Sequence, residues 1–307
     1  MTTNKGTVQA GRLLLILACL AWAAQAQQGI DFDKVEIKTT QVADGIYELE
    51  GAGGNITVSV GSDGILLVDS QCVPLHQKIM DAVRKISRQP IRFLIDTHYH
   101  GDHTDGNALM AKEGATIVAH ENLRKRLASG RPASPGVNPM PPAPKDAIPV
   151  MTYSDSLTLY FNGEEITIFH PEPAHTDGDS ILYFHRANVI TTGDLPASIR
   201  YPNLDVPGGG SISGNIAALE RMMKLASPNT KFIPGHGPIS TVKELQQQRD
   251  MLDALRDRVS SAIRAGKTLD QIIASKPSAE FDEARKGGRS PEDFLKQVYA
   301  DLSRKKS

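Results

Sequence analysis

The chain has 307 residues, with 34 Lys and Arg against 35 Asp and Glu, and with 40% hydrophobic and 22% charged residues. A net charge of −1 excludes a general binder of nucleic acid or of anionic membrane, and the composition excludes a disordered chain. Two cysteines supply no disulfide framework, so a hydrophobic core must hold the fold.

The first element in chain order is a leader. Lys5 and Arg12 precede an apolar run over residues 13–24, closed by Ala24-Gln25-Ala26. This is the positive, apolar, small-x-small pattern of a secretory signal peptide, and it predicts a periplasmic or secreted protein. The run falls short of the roughly 20 apolar residues a membrane span needs, and nothing later reaches that length, so no stable membrane span is expected. A lipid on Cys19 is the alternative reading, against which the bulky Leu17 and the following cleavage site argue. Cleavage after Ala26 removes Cys19, Trp22, Lys5 and Arg12, leaving residues 27–307 as a single domain of net charge −3 with one cysteine, Cys72.

Residues 35–39, 45–49, 56–60 and 65–68 read as strands separated by Asp-Gly and Gly-Gly turns. The period then changes: Leu75, Ile79, Val83 and Ile86 mark an amphipathic helix opened by Pro74. A strand at 91–95 runs straight into Asp96-Thr97-His98-Tyr99-His100; a helix at 107–112, a strand at 115–119 and a helix at 121–128 follow. Seven prolines between Gly130 and Pro149 make a stiff loop, or a lid with Met140 as its apolar tip. Strands resume at 157–161, 166–169, 181–184 and 189–192. Helices follow at 213–225, from the Thr241-x-x-Glu244 capping box to Gly266, and after Thr268 and Ser290. The alternation predicts α/β layering. His-Thr-Asp-Gly occurs at 103–106 and again at 175–178, which fits two similar halves that each contribute a polar loop.

Five of the nine histidines stand in polar loops at predicted strand ends. His98-Tyr99-His100-Gly101-Asp102-His103 is the densest. Imidazole and carboxylate are natural zinc ligands, and four such groups within six positions would leave unmatched desolvated polar atoms without a metal. His175 and Asp194 each follow a predicted strand, and His236 stands in the loop Pro234-Gly235-His236-Gly237-Pro238. Asp105, Asp177 and Asp179 are expected to bond backbone N–H groups within these loops.

His98-x-His100-x-Asp102-His103, followed by His175, Asp194 and His236, resembles the spaced signature of the metallo-β-lactamase superfamily. The resemblance implies a four-layer αβ/βα sandwich: two facing mixed sheets, helices outside, metals at one edge. It implies two Zn2+, one held by His98, His100 and His175, the other by Asp102, His103 and His236, with Asp194 bridging. The implied activity is a dizinc metallohydrolase that cleaves an amide, lactone or ester bond of a small molecule with a metal-bound hydroxide, β-lactams among the candidate substrates. Asp102 would orient the nucleophile and shuttle its proton. Lactamases of the superfamily carry Cys or Ser where this chain has Asp194, so a lactonase or thioesterase of the glyoxalase II type is the alternative. Iron is a second possibility for the metal, as in the mononuclear-iron persulfide dioxygenases of similar fold. His100 argues against flavin-linked di-iron relatives, and the charge and leader argue against a nuclease. Arg200 and Tyr201, soon after Asp194, are candidates to grip a carboxylate or oxyanion of the substrate. Oligomeric state is not legible.

Overall fold

The computed structural model describes residues 30–132, 139–195 and 199–304; the leader and part of the proline-rich loop lie outside the described residues. Strands β1 (Lys38–Ala43), β2 (Ile46–Glu50), β3 (Ile56–Gly61), β4 (Gly64–Val68), β5 (Ile91–Ile95), β6 (Thr116–His120) and β7 (Met151–Tyr153) form one sheet in chain order. Pairing is antiparallel through β4 and parallel from β4 to β7. Helices α1 (His76–Ile86), α2 (Gly101–Thr104), α3 (Asn107–Lys112) and α4 (Glu121–Ser129) fall between the parallel strands. Strands β8 (Ser156–Phe161), β9 (Glu164–Phe169), β10 (Ile181–Phe184), β11 (Val189–Thr191) and β12 (Lys231–Ile233) form the second sheet in the order β12-β11-β10-β9-β8. Helix α5 (Ile212–Leu225) is the crossover that lets β12 lie parallel to β11.

The pleat explains the layers. In β4, Leu66 and Val68 face the second sheet, where they meet Ile166, Ile168, Leu182, Phe184 and Val189. Their neighbours Ile65 and Leu67 face outward onto Leu75, Ile79 and Val83 of α1. The second sheet alternates likewise: Ile181, Ile190 and Phe232 point away from the sandwich onto Ile216, Leu219, Leu252 and Leu255. Helix–sheet–sheet–helix is therefore the only arrangement that buries both faces of both sheets. The outer helical layer comprises α5, α6 (Val242–Arg264), α7 (Leu269–Ala274), α8 (Ala279–Asp282) and α9 (Pro291–Leu302). Both predicted capping boxes form, Thr241 with Glu244 and Thr268 with Gln271.

The first strand runs over Lys38–Ala43, three residues later than the sequence pattern predicts, because its register is set by antiparallel pairing with β2. Strands β7 and β12 are three residues each, too short to show a period, and the sequence pattern does not predict them. The ends of the proline-rich loop are tied by reciprocal backbone bonds between Arg131 and Met140. Met140 packs with Ala143 against Tyr99, Leu123 and Leu127, so it is part of a small core and not the tip of a lid. Among the described residues no helix is long and apolar enough to cross a membrane.

Candidate metal centre

The predicted ligands come from loops leaving β5, β9, β11 and β12, which end on one edge of the sandwich. The repeated His-Thr-Asp-Gly motif supplies one loop from each sheet. All seven ligand-type residues converge there: three groupings, His98/His100/His175, His98/His103/Asp194 and Asp102/His103/His236, each bring their ligand atoms within 4.8 Å of one another.

Hydrogen bonds fix which nitrogen each imidazole offers. The Thr97 hydroxyl donates to Asp69 Oδ2 at 2.7 Å, so Thr97 Oγ1 accepts from His98 Nδ1 at 3.1 Å. His98 Nε2 is left buried with no hydrogen-bond partner. His100 Nε2 donates to Asp205 Oδ2 at 2.9 Å, and His175 Nδ1 donates to the Asn203 carbonyl at 2.7 Å. The nitrogens left over, His100 Nδ1 and His175 Nε2, face each other at 3.0 Å. With those tautomers both carry lone pairs, and two lone pairs at that distance need a cation between them.

The second grouping repeats this logic. His103 Nδ1 donates to Asp69 Oδ2 at 2.7 Å, and His103 Nε2 then faces His236 Nε2 at 3.3 Å. Asp102 Oδ2 lies 3.0 Å from His236 Nε2 and 3.8 Å from His103 Nε2. Asp194 spans the two groupings: Oδ1 is 3.3 Å from His103 Nε2 and 3.5 Å from His236 Nε2, while Oδ2 is 3.7 Å from His175 Nε2. Ligand atoms on one tetrahedral zinc stand about 3.3 Å apart, so these spacings fit metal and not packing. Glycine lets the backbone come this close: a Cβ on Gly54 would sit 2.3 Å from His103 Cε1, and one on Gly235 2.3 Å from Asp194 Oδ1.

The family model of the metallo-beta-lactamase superfamily matches residues 49–236, from β2 to the last ligand. The chain belongs to the metallo-beta-lactamase superfamily. Members of this superfamily are mostly hydrolytic enzymes and typically bind metal ions. The chain is 26% identical to the 2,4-dinitroanisole O-demethylase subunit alpha of Nocardioides over 69% of its own length and 61% of that protein's. It is 24% identical to a linear primary-alkylsulfatase of Pseudomonas over 69% of its length and 47% of the relative's. It therefore spans only about half to three-fifths of these two relatives. Among solved structures, a metallo-beta-lactamase from Pontibacter korlensis aligns with a TM-score of 0.59 at 16% identity, over 71% of this chain and 99% of that one. The sec-alkylsulfatase Pisa1 of Pseudomonas aligns at 0.66 and 18% identity, over 86% of this chain and 50% of that one. These likenesses show the sandwich fold.

In this superfamily member the electrostatics suit ligation. Burial, with the neighbouring His103 and His175, holds His98 well below the usual imidazole range, and burial also lowers His175. Burial opposes charge on Asp194 and Asp102, but the surrounding histidines outweigh it and keep both carboxyls below their usual range. His103 differs: burial opposes its charge, but the Asp102, Asp69 and Asp194 carboxylates outweigh burial and raise it well above the usual imidazole range, so a metal at its Nε2 would displace a proton. Neutral imidazoles and ionised carboxylates are the forms that bind metal.

Arg200 is at the centre, its Nη2 3.7 Å from Asp194 Oδ2. Tyr201 is not: it is buried, stacks on Phe294 with ring centroids 4.9 Å apart, and donates to Asp282 at 2.7 Å. Its aromatic ring is worth more in the helical core than in a polar loop, so the expected substrate contact is corrected to a structural one. Of the three carboxylates expected to brace the loops, Asp179 accepts from the backbone N–H of His175 and Thr176, whereas Asp177 forms a two-pronged pair with Arg126 at 2.6 Å. Among the described residues no side-chain bond of Asp105 to the loop backbone accompanies these; burial and Asp102 push its carboxyl up to about 6. Neither Asp69 nor Asp205 stands out in the sequence. Asp69 is fully buried at the end of an apolar strand, and that placement is the signal available.

Proposed function

We propose that the protein is a dizinc hydrolase that cleaves amide, lactone or ester bonds of small molecules outside the cytoplasm. The observation that carries this reading is the pair of facing lone-pair sets with Asp194 across both. A single iron would have no use for the second set, which counts against the persulfide dioxygenase alternative. The leader at residues 1–26 supports export, and export removes the glutathione thioesters on which a glyoxalase II activity depends.

When bound, the metals supply Lewis acidity, polarising the scissile carbonyl and making water a nucleophile at neutral pH. The chain's own residues do the rest. His98, His100 and His175 form one rigid wall, preset in tautomer by Thr97, Asp205 and Asn203. Asp102 is the most exposed of the carboxylates here, at 35% against 8% for Asp194. Ionised and open to solvent, it is placed to take the proton of the attacking water and pass it to the leaving group. Arg200, with its side chain 27% exposed, offers guanidinium N–H groups to an anionic group on the substrate.

A hydrolysis screen of zinc-loaded protein tests the reading, with β-lactams, lactones, thioesters, phosphodiesters and, because of the alkylsulfatase relative, alkyl sulfates side by side. Turnover of a carbonyl substrate is expected; turnover of alkyl sulfates alone would overturn the carbonyl assignment. On an anionic substrate, Arg200→Ala is expected to raise KM about 10- to 100-fold, the worth of a charge-assisted hydrogen bond, and to change kcat little.

A further inference from the structure

The three-histidine wall is braced by a loop that is itself anchored from a part of the chain that the family match does not reach. Residues 203–205 orient two of its three ligands: the Asn203 carbonyl accepts from His175 Nδ1 at 2.7 Å, and Asp205 Oδ2 accepts from His100 Nε2 at 2.9 Å. Asp205 is anchored in turn by the Tyr99 hydroxyl and by the Gly208 N–H at 2.9 Å. Neither Asn203 nor Leu204 lies in a helix or strand, although Leu204 is buried in the core of the helical layer. Their anchors come from the C-terminal segment, beyond the match at 49–236. Asn203 Oδ1 accepts from Arg289 Nη2 at 2.7 Å and from Gln297 Nε2 at 2.8 Å. Gln297 Oε1 takes the Leu204 N–H at 3.1 Å, so one side chain of α9 clamps two consecutive residues. Helix α9 is itself locked into the outer layer through Phe294, Leu295 and Val298, all buried.

The other grouping is held by different residues. His103 is oriented by Asp69, and the loop of His236 is held by Asn55, which donates to Pro234 O and Gly237 O at 3.0 Å. Apart from Asp69, which orients His103 directly and His98 through Thr97, the two metal subsites therefore rest on different supports.

We propose that Arg289 and Gln297 are positioning residues for the His98/His100/His175 subsite alone, acting through the Asn203–Asp205 loop to fix the imidazoles of His175 and His100. The inference rests on the metal-centre reading above and adds that the C-terminal helices set the affinity of one subsite independently of the other. Loss of a group that orients a metal ligand costs about 10- to 100-fold in affinity.

Cobalt(II) titration against a chelator tests this in two single-site backgrounds. His236→Ala leaves the three-histidine subsite intact, and His175→Ala leaves the Asp102/His103/His236 subsite. Adding Gln297→Ala is expected to weaken cobalt about 10- to 100-fold in the first background and to leave the second unchanged. Arg289→Lys, which keeps a donor toward Asn203, is expected to retain most of the affinity that Arg289→Ala loses. Equal weakening in both backgrounds would show a general loosening of the fold and overturn the inference, as would no change in either. Failure of the unsubstituted chain to take up cobalt would overturn the metal-centre reading itself and is read from a separate sample.

Discussion

Replacing Asp102 with Asn is expected to lower kcat of the zinc-loaded protein by at least 100-fold while at least one zinc per chain remains bound. Asp102 is the carboxylate of the cluster most open to solvent, and His103 and His236 keep it ionised against the pull of burial. An ionised, positioned carboxylate is worth about 10²–10⁴ as a proton acceptor, and an amide of the same shape accepts no proton. Asn keeps an oxygen toward His236, and the three-histidine subsite does not involve position 102. Steady-state kinetics beside metal analysis separates the outcomes. Full activity with normal metal content would show that Asp102 neither orients nor deprotonates the nucleophile. Equal loss of metal and activity would make it a ligand only.

Asp69→Asn is expected to weaken metal binding at both subsites, by about 10- to 100-fold at the one containing His103. Asp69 Oδ1 accepts the Thr97 N–H at 2.7 Å, and Oδ2 accepts both the Thr97 hydroxyl and His103 Nδ1 at 2.7 Å each. A carboxylate takes three donors; an amide presents N–H₂ to one side or the other and meets a donor with a donor. His103 would then turn its protonated nitrogen toward the cluster, and the Thr97 hydroxyl would be released to donate to His98 Nδ1, reversing that imidazole too. The backbone is not the cause of the effect, because Asp69 has φ 68°, a conformation Asn adopts as readily. Each lost hydrogen bond to a charged group costs about 1.5–3 kcal/mol, so the metal-free protein should also melt lower. Unchanged zinc affinity in Asp69→Asn would mean that the imidazoles are oriented by the metals and not by the chain.

The ligand set is legible in the sequence because its chemistry is local. Neither packing nor solvation accounts for four ligand-type residues in six positions, and the apolar runs before them mark the strand ends. The layers are legible for the same reason, since β4 and β10 read as short apolar strands and α1 repeats at three to four residues. What is not legible depends on contacts between distant segments. Asp69 and His103 are 34 residues apart in sequence, and Gln297 and Asn203 are 94 apart. No local pattern announces such a pairing. Tyr201 shows the converse error: its nearness in sequence to Asp194 suggests substrate contact, but its ring stacks on Phe294 in the helical layer. Arg200, one residue earlier, points the other way and lies beside Asp194.

The central claim is that two lone-pair sets sharing Asp194 hold two metal ions. It is tested most directly by metal counting. Purified protein is stripped with a chelator, reloaded with zinc, desalted and analysed by elemental mass spectrometry against protein concentration. Two zinc ions per chain are expected, falling to one in His236→Ala and to one in His175→Ala. A stoichiometry of one ion that survives His236→Ala unchanged, or one tightly held iron in protein as isolated, would contradict it.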